Sequence, residues 1–395
     1  MNTIRKCYHR QLCIAFMGVF LASFNYVSNA RVPWLPDYTY RKPILITGTT
    51  NGAQTHYQVC VSNVAYNAHM QTNFADIRFG SSDGVTLDHW LELKTDSTAA
   101  IYWVKVANIP AGPDTTAIYM YYGNADATSA SSVSNTFIRE INGDQPVMSC
   151  WHFDETSGTN AFDSSGNANK GTGYGTTITN GKFNNALYFL TNDYVTAAAS
   201  PSLNVGAGSF SFAVWLLLDQ SGDRTILDKG NMSWVNRPGF SWLVTGGKAR
   251  LAIADGTNGY TVNDAPQANA SLVNGVWYHL AVSWDGTTKT AQYYHNGVTN
   301  GSFTTNGLGS ASNNVTLHIG RKTDTRYFSG IIDELQIYNR VLSTNEVWDL
   351  YNNYGHTTTN DPGRILVRKF ATPEPSTGDP GAEERFCRGS IFSVY

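Results

Sequence analysis

Phe162 to Gly171 reads FDSSGNANKG and gathers one carboxylate, two asparagines and two glycines. Such a mixture suits a cation, an anion or a tight turn. The spacing is not that of an EF-hand loop, and the Lys-Ser/Thr pair of a phosphate-binding P-loop is missing. Asp163 also fits a turn role, because Asx side chains bond neighbouring backbone N–H groups. For catalysis the obvious carboxylates are Asp333 and Glu334 in IIDELQIY. Adjacent strand residues point to opposite faces, so the two cannot flank one glycosidic bond. GSSDG, Gly80 to Gly84, matches Gly-x-Ser-x-Gly, but Ser82 precedes an Asp-Gly turn and another strand-like run rather than a helix. No His-Glu-x-x-His run occurs, and His279 in VWYHLAVSW reads as a strand residue rather than a base. Trp234, Trp242, Tyr260 and Tyr327 fall in or beside expected loops. There they either stack on sugars or staple loops to a core.

The elements that must position these groups follow from composition. With 395 residues the chain exceeds one usual core, and two units are expected. Only 14% of residues are charged, while 36 glycines, 22 tyrosines and 10 tryptophans suit strands joined by polar turns. An all-β protein is expected. Arg5, Lys6 and Arg10, the apolar run from Leu12 to Phe24 and the small residues Ser28 and Ala30 read as a signal peptide over 1–30. The product would be secreted, periplasmic or at the cell surface, with no transmembrane segment after cleavage. Losing three basic residues leaves 27 − 3 = 24 Lys+Arg against 30 Asp+Glu. Without a basic cluster, nucleic-acid binding lacks its main driving term. Cys60, Cys150 and Cys387 remain, and an oxidising compartment permits one disulfide among them, in a pairing the sequence leaves open.

Over 34–137, KPILITG, HYQVCVS, ADIRFGSSDG, AIYWVKV and TAIYMYYGN read as strands of one sandwich. Tyr102, Val104 and Val106 share one face, and Ile101, Trp103 and Lys105 the other. TSASSVSNT, residues 128–136, reads as a flexible joint. A second unit spans 146–355. In FSFAVWLLL, Phe210, Phe212, Val214, Leu216 and Leu218 fall on one side; Asp285-Gly286 and Asn296-Gly297 predict hairpin turns. Ser343 and Glu346 form a capping box for a helix whose apolar face runs through Val347, Leu350, Tyr351 and Tyr354 and which Gly355 ends. The tail, 357–395, is expected to add one strand and then fray.

YRKPILITG, FADIRFGSSDGVTLDHWLE, YWVKVANIPAG and IYMYYGNADATSASS resemble, in order, an uncharacterised extracellular domain family found beside laminin-G-like modules and in some MotA/TolQ/ExbB-type proteins. WHFDETSGTNAFDSSGNANKGTG, GKFNNALYFLTNDYV, GSFSFAVWL, GVWYHLAVSWDG and GIIDELQIYNRVLSTNEVWDLY resemble the laminin-G-like jelly roll of the concanavalin A-like group. The resemblance implies two β-sandwiches in tandem, the second a jelly roll whose first and last strands meet. It also implies a structural calcium held by Asp163 and Asp333, with Asn167 or Asn169 adding an amide oxygen. Recognition of carbohydrate or another extracellular or surface protein ligand is the expected function. A structural adhesion or spacer protein is the alternative, and a polysaccharide-cleaving glycosidase a weaker one.

Overall fold

The computed structural model describes residues 33–141, 147–230, 237–257, 259–260, 268–305, 307–322 and 326–386. The expected signal peptide, Trp234 and Cys387 lie outside these residues. Seven strands come first: β1 (Tyr40–Thr47), β2 (Gln54–Ala65), β3 (Arg78–Ser81), β4 (Thr86–Leu87), β5 (His89–Thr95), β6 (Ala99–Ile109) and β7 (Thr115–Tyr122). They divide into β1-β7-β3-β4 and β2-β6-β5. The two-residue period selects the core, so Tyr102, Val104 and Val106 meet Ile44, Phe79 and Ile118 while Trp103 joins a separate cluster.

The expected joint is anchored rather than loose. Ser132 accepts from Asn135 N at 3.3 Å and caps the short helix α1 (Val133–Thr136). Phe137 follows, buried with its ring 5.7 Å from both Trp90 and Trp103. That buried ring fixes the C-terminal end of the small polar segment. Next come β8 (Arg139–Ile141), β9 (Ser149–Trp151), β10 (Asn160–Ala161), β11 (Gly171–Tyr174), β12 (Thr177–Asn180), β13 (Asn185–Phe189) and β14 (Tyr194–Ala197).

The second sandwich is completed by β15 (Phe210–Leu218), β16 (Arg224–Lys229), β17 (Gly239–Thr245), β18 (Lys248–Ala254), β19 (Gly259–Tyr260), β20 (Trp277–Asp285), β21 (Thr290–His295), β22 (Val298–Thr304), β23 (Leu317–Ile319) and β24 (Gly330–Tyr338). One sheet runs β10-β11-β14-β23-β16-β17-β18-β19 and the other β12-β13-β24-β15-β20-β21-β22, with β9 also on β24. The five alternate residues of β15 from Phe210 to Leu218 enter one core with Trp242, Leu251, Ile319 and Ile332. First and last strands of the jelly roll do pair, Trp151 opposite Leu335 and Cys150 opposite Gln336.

Asn296 (φ 50°) and Gly297 (φ 81°) make the tight turn between β21 and β22. Asp285-Gly286 does not act as a two-residue turn. Asp285 instead accepts from Thr287 N (2.8 Å) and Thr288 N (3.3 Å) in a longer loop whose left-handed residue is Lys289, φ 56°. Helix α2 (Thr344–Asn352) has the expected capping box. It stops earlier than expected, because Tyr354 and Gly355 belong to the strand β25 (Tyr354–His356).

The tail differs most from expectation. β26 (Ile365–Arg368) lies between β25 and β8, and then β27 (Ser376–Thr377) and β28 (Glu384–Arg385) both pair with β1. Residues 376–385 thus return to the first sandwich instead of fraying. At the crossing, Arg368 is 4% exposed, grips Glu374 through two bonds of 2.7 and 2.8 Å, and has its guanidinium 5.3 Å from the Trp103 ring and 5.1 Å from that of Tyr354. Glu374 also accepts from the Tyr57 hydroxyl at 2.9 Å.

Candidate ligand cleft

The residues expected to share calcium do not assemble. Asp163 is bridged to Trp151, and Trp151 pairs with Leu335, two residues along β24 from Asp333. Two strand spacings and a two-residue step place the carboxylates on the order of 10 Å apart. Oxygens on one calcium lie within about 5 Å of each other. Both Asp163 oxygens are occupied by donors: Oδ1 accepts from Cys150 N and Ser165 N, Oδ2 from Asn169 N and the Ser165 hydroxyl, at 2.8–3.0 Å. Asn169 is 4% exposed, and its Oδ1 accepts from the Ser202 hydroxyl; Asn167 spends its amide N–H on the Val147 and Met148 carbonyls. Asp333 Oδ2 accepts from Lys182 N and Phe183 N. A carboxylate ringed by N–H groups is an Asx turn, and these residues do not fit a metal. FDSSGNANKG turns the chain and fastens it to β9.

That turn closes one side of a cleft of about 460 Å³ lined by His152, Asp154, Glu155, Thr156, Ser157, Phe162 and Ser164. The loop between β9 and β10 builds it. Phe153 takes φ 60° with its ring wholly buried, which ends the strand, and Gly158 (φ 85°) turns the chain back. Glu155 Oε1 accepts from Phe162 N at 2.7 Å and ties the two limbs together. Its Oε2 is shielded from solvent and has no hydrogen-bond partner among the described residues. Phe162 remains 57% exposed, with the Lys170 ammonium 5.9 Å from its ring centroid.

Asp154 and His152 form the deeper wall. Asp154 accepts from Asn185 N (3.1 Å) and Asn184 Nδ2 (3.0 Å), and burial raises its pKa from the ordinary aspartate value. His152 Nδ1 lies 2.8 and 2.9 Å from the two Glu334 oxygens, and Nε2 lies 2.7 Å from the Thr357 hydroxyl. Burial opposes the imidazolium, but Cys150, Asp154 and Asp333 push its pKa up to about 9. Burial also raises Asp333 well above the ordinary range, with the charge of Glu334 adding to it.

Of the aromatics singled out in the sequence, Trp242 is 0% exposed in the core and is no ligand contact. It sits mid-strand in β17, where alternation points it inward. Tyr260 pairs with Ile253 at the sheet edge, and Tyr327 is half-buried. Trp215 and Trp284 are buried while Trp277, in the same kind of strand position, is only partly buried; His279 is 2% exposed inside β20. The cleft's own ring, Phe162, was in plain sight as an apolar residue beside an Asx turn in a polar loop. Cys60 and Cys150 are both free, so of the pairings the sequence leaves open, the one between them does not form. No helix among the described residues is long and apolar enough to cross a membrane.

Fold and cleft together define a tandem of β-sandwiches with a lectin-like jelly roll as the larger unit. Residues 189–348 match the concanavalin A-like lectin/glucanases superfamily (Laminin_G_3), and residues 73–168 match a domain of unknown function (DUF2341). The chain carries a laminin-G-like module of the concanavalin A-like superfamily preceded by that domain. Solved structures similar to it include the binding domain of Paraclostridial Mosquitocidal Protein 1, 18% identical with a TM-score of 0.44 over 53% of this chain and 52% of that one. Domain 4 of AbnA, a GH43 extracellular arabinanase from Geobacillus stearothermophilus, in complex with arabinotriose, is 21% identical with a TM-score of 0.42, over 52% of this chain and 98% of that domain. The botulinum neurotoxin serotype G binding domain is 16% identical with a TM-score of 0.41, over 52% of each chain. The match thus spans about half the length of the mosquitocidal and neurotoxin domains. Comparison with curated proteins finds no match.

Proposed function

We propose that this chain is a secreted or surface-displayed carbohydrate-binding protein without chemistry of its own, and that the cleft beside β9 receives a glycan. The observation that carries this reading is the exposed Phe162 ring at the edge of a polar cleft also lined by the exposed Thr156 and Ser157. A sugar ring has one apolar CH face and a rim of hydroxyls. Phe162 suits the first by stacking; the exposed Thr156 and Ser157 hydroxyls suit the second. A lectin-type superfamily match supports the same class. Against glycosidase action, Asp333 and Glu334 are 0% and 4% exposed, and Glu334 is engaged by His152. Neither is placed to touch a sugar.

The spacer reading has one observation in its favour, the tail that fastens both sandwiches into one unit. A glycan array followed by calorimetric titration of the purified chain separates the two. Binding of a glycan, weakened about tenfold by Phe162→Ala, is expected. If wild type binds no glycan, the spacer reading stands. If Phe162→Ala binds as wild type does, the cleft is not the site. Turnover of a polysaccharide panel would restore an enzyme.

A further inference from the structure

β16 ends on Lys229, a lysine that is only 1% exposed. Its Nζ donates to Asn204 Oδ1 at 2.9 Å, to the Asn313 carbonyl at 2.9 Å and to Asn313 Oδ1 at 2.8 Å. An ammonium has three N–H donors and no acceptor, and here each donor has one oxygen. Among the described residues, no carboxylate pairs with it. A buried ammonium left short of partners is strongly unfavourable, so a full oxygen shell is what permits this one. Neutral oxygens converging on one positive centre are also the donor set that hard cations select.

The surrounding backbone is built to close on this point. Asn313 Nδ2 donates to the Lys229 and Pro238 carbonyls, both at 2.8 Å, and Asn313 N donates to Asn204 Oδ1 at 3.3 Å. Gly239 has φ 151°, and a Cβ there would lie 2.2 Å from the Lys229 carbonyl oxygen and 2.8 Å from Asn313 Nδ2. Only glycine allows the two strands to approach so closely. Asn204 and Asn313 lie 25 and 84 residues from Lys229 in the chain. One side chain therefore joins three distant segments of the jelly roll. Burial lowers its pKa to about 8, which leaves it protonated at neutral pH.

We propose that the Lys229 ammonium serves as a cation supplied by the chain itself, holding three segments of the laminin-G-like module as a bound metal ion would. Truncating the side chain should then leave an oxygen-lined site for small primary ammonium ions. This inference is independent of the carbohydrate reading.

The test is calorimetric melting of the full chain and of Lys229→Ala, with n-propylammonium chloride, the fragment the substitution removes. Propanol and sodium chloride at matched concentration serve as controls. Lys229→Ala should melt lower by roughly 5 °C or more and recover part of that loss with propylammonium alone, while wild type responds neither to propylammonium nor to chelator. Failure of propylammonium to raise the melting temperature of a folded Lys229→Ala overturns the proposal. So does a wild-type chain that loosens in chelator. Should Lys229→Ala not fold, two measurements decide. Lys229→Met must melt below wild type, and acylation of the native chain must modify exposed Lys94 and Lys170 while sparing Lys229. Equal melting of Lys229→Met, or ready acylation of Lys229, refutes the assignment.

Discussion

His152 is held inside a β-sandwich by contacts at both ring nitrogens. Glu334 meets Nδ1 at 2.8 Å and the Thr357 hydroxyl meets Nε2 at 2.7 Å, with side-chain exposures of 11% for His152 and 4% for Glu334. Removing one member of such a pair strands the other in a low-dielectric site. Glu334→Gln is therefore expected to lower stability by about 3 kcal/mol in urea unfolding at neutral pH. A loss below about 1 kcal/mol would mean that water reaches the imidazolium. Little of this pair was legible in the sequence. Asp333-Glu334 is visible as two charges on a strand, but Glu334 takes φ 51°, an irregularity that strict alternation does not anticipate. The residues expected to share calcium lie apart for a related reason. Strand order brings β9 and β24 together as the resemblance implies, yet Asp163 lies one bridge further out than the pairing strands.

Among the elements, the β21–β22 hairpin shows what local sequence can specify. Asn-Gly supplies two residues that tolerate positive φ, and both have it here. What the sequence does not reveal is that Gly297 also faces α2. A Cβ there would lie 2.9 Å from the Trp348 ring and 3.0 Å from that of Tyr351. Gly297→Ala should cost about 2 kcal/mol, from left-handed strain and overpacking together, seen as a lowered urea midpoint. An unchanged midpoint would show that α2 shifts freely. The capping box at Ser343 was legible because its signal lies within four residues. The end of α2 was not, since the apolar spacing continues into Tyr354, which a strand pairing with Arg368 captures instead. Two-residue strands such as β27 and β28 carry no periodicity, so their union with β1 is invisible before the chain folds.

Across the whole molecule, each sandwich buries a neutral histidine. Burial lowers the pKa of His89 to about 4 and that of His279 to about 3. The unfolded chain binds these protons near pH 6.5 and the folded chain only well below it, so the contribution is full above about pH 6.5 and is lost as pH falls toward 4 and 3. His152 acts in the opposite sense, its contribution being full below about 6.5 and lost as pH rises through 9. Unfolding free energy should fall on acidification by about 1.4 kcal/mol per pH unit for each buried neutral histidine. His279→Gln should flatten the slope between pH 6 and 4, roughly by that amount; an unaltered slope would mean that His279 is already solvated in the fold.

The tail also decides how the molecule answers to force. Phe386 N donates to the Thr39 carbonyl at 2.8 Å, Arg41 meets Glu384 at 2.7 Å, and the Trp34 and Phe386 rings lie 5.4 Å apart. A pull between residues 34 and 386 falls first on the antiparallel β1–β28 ladder, which peels one rung at a time. The jelly roll hangs as a side loop off that line of tension, and the cleft beside β9 is expected to stay slack while residues 34 and 386 are drawn apart.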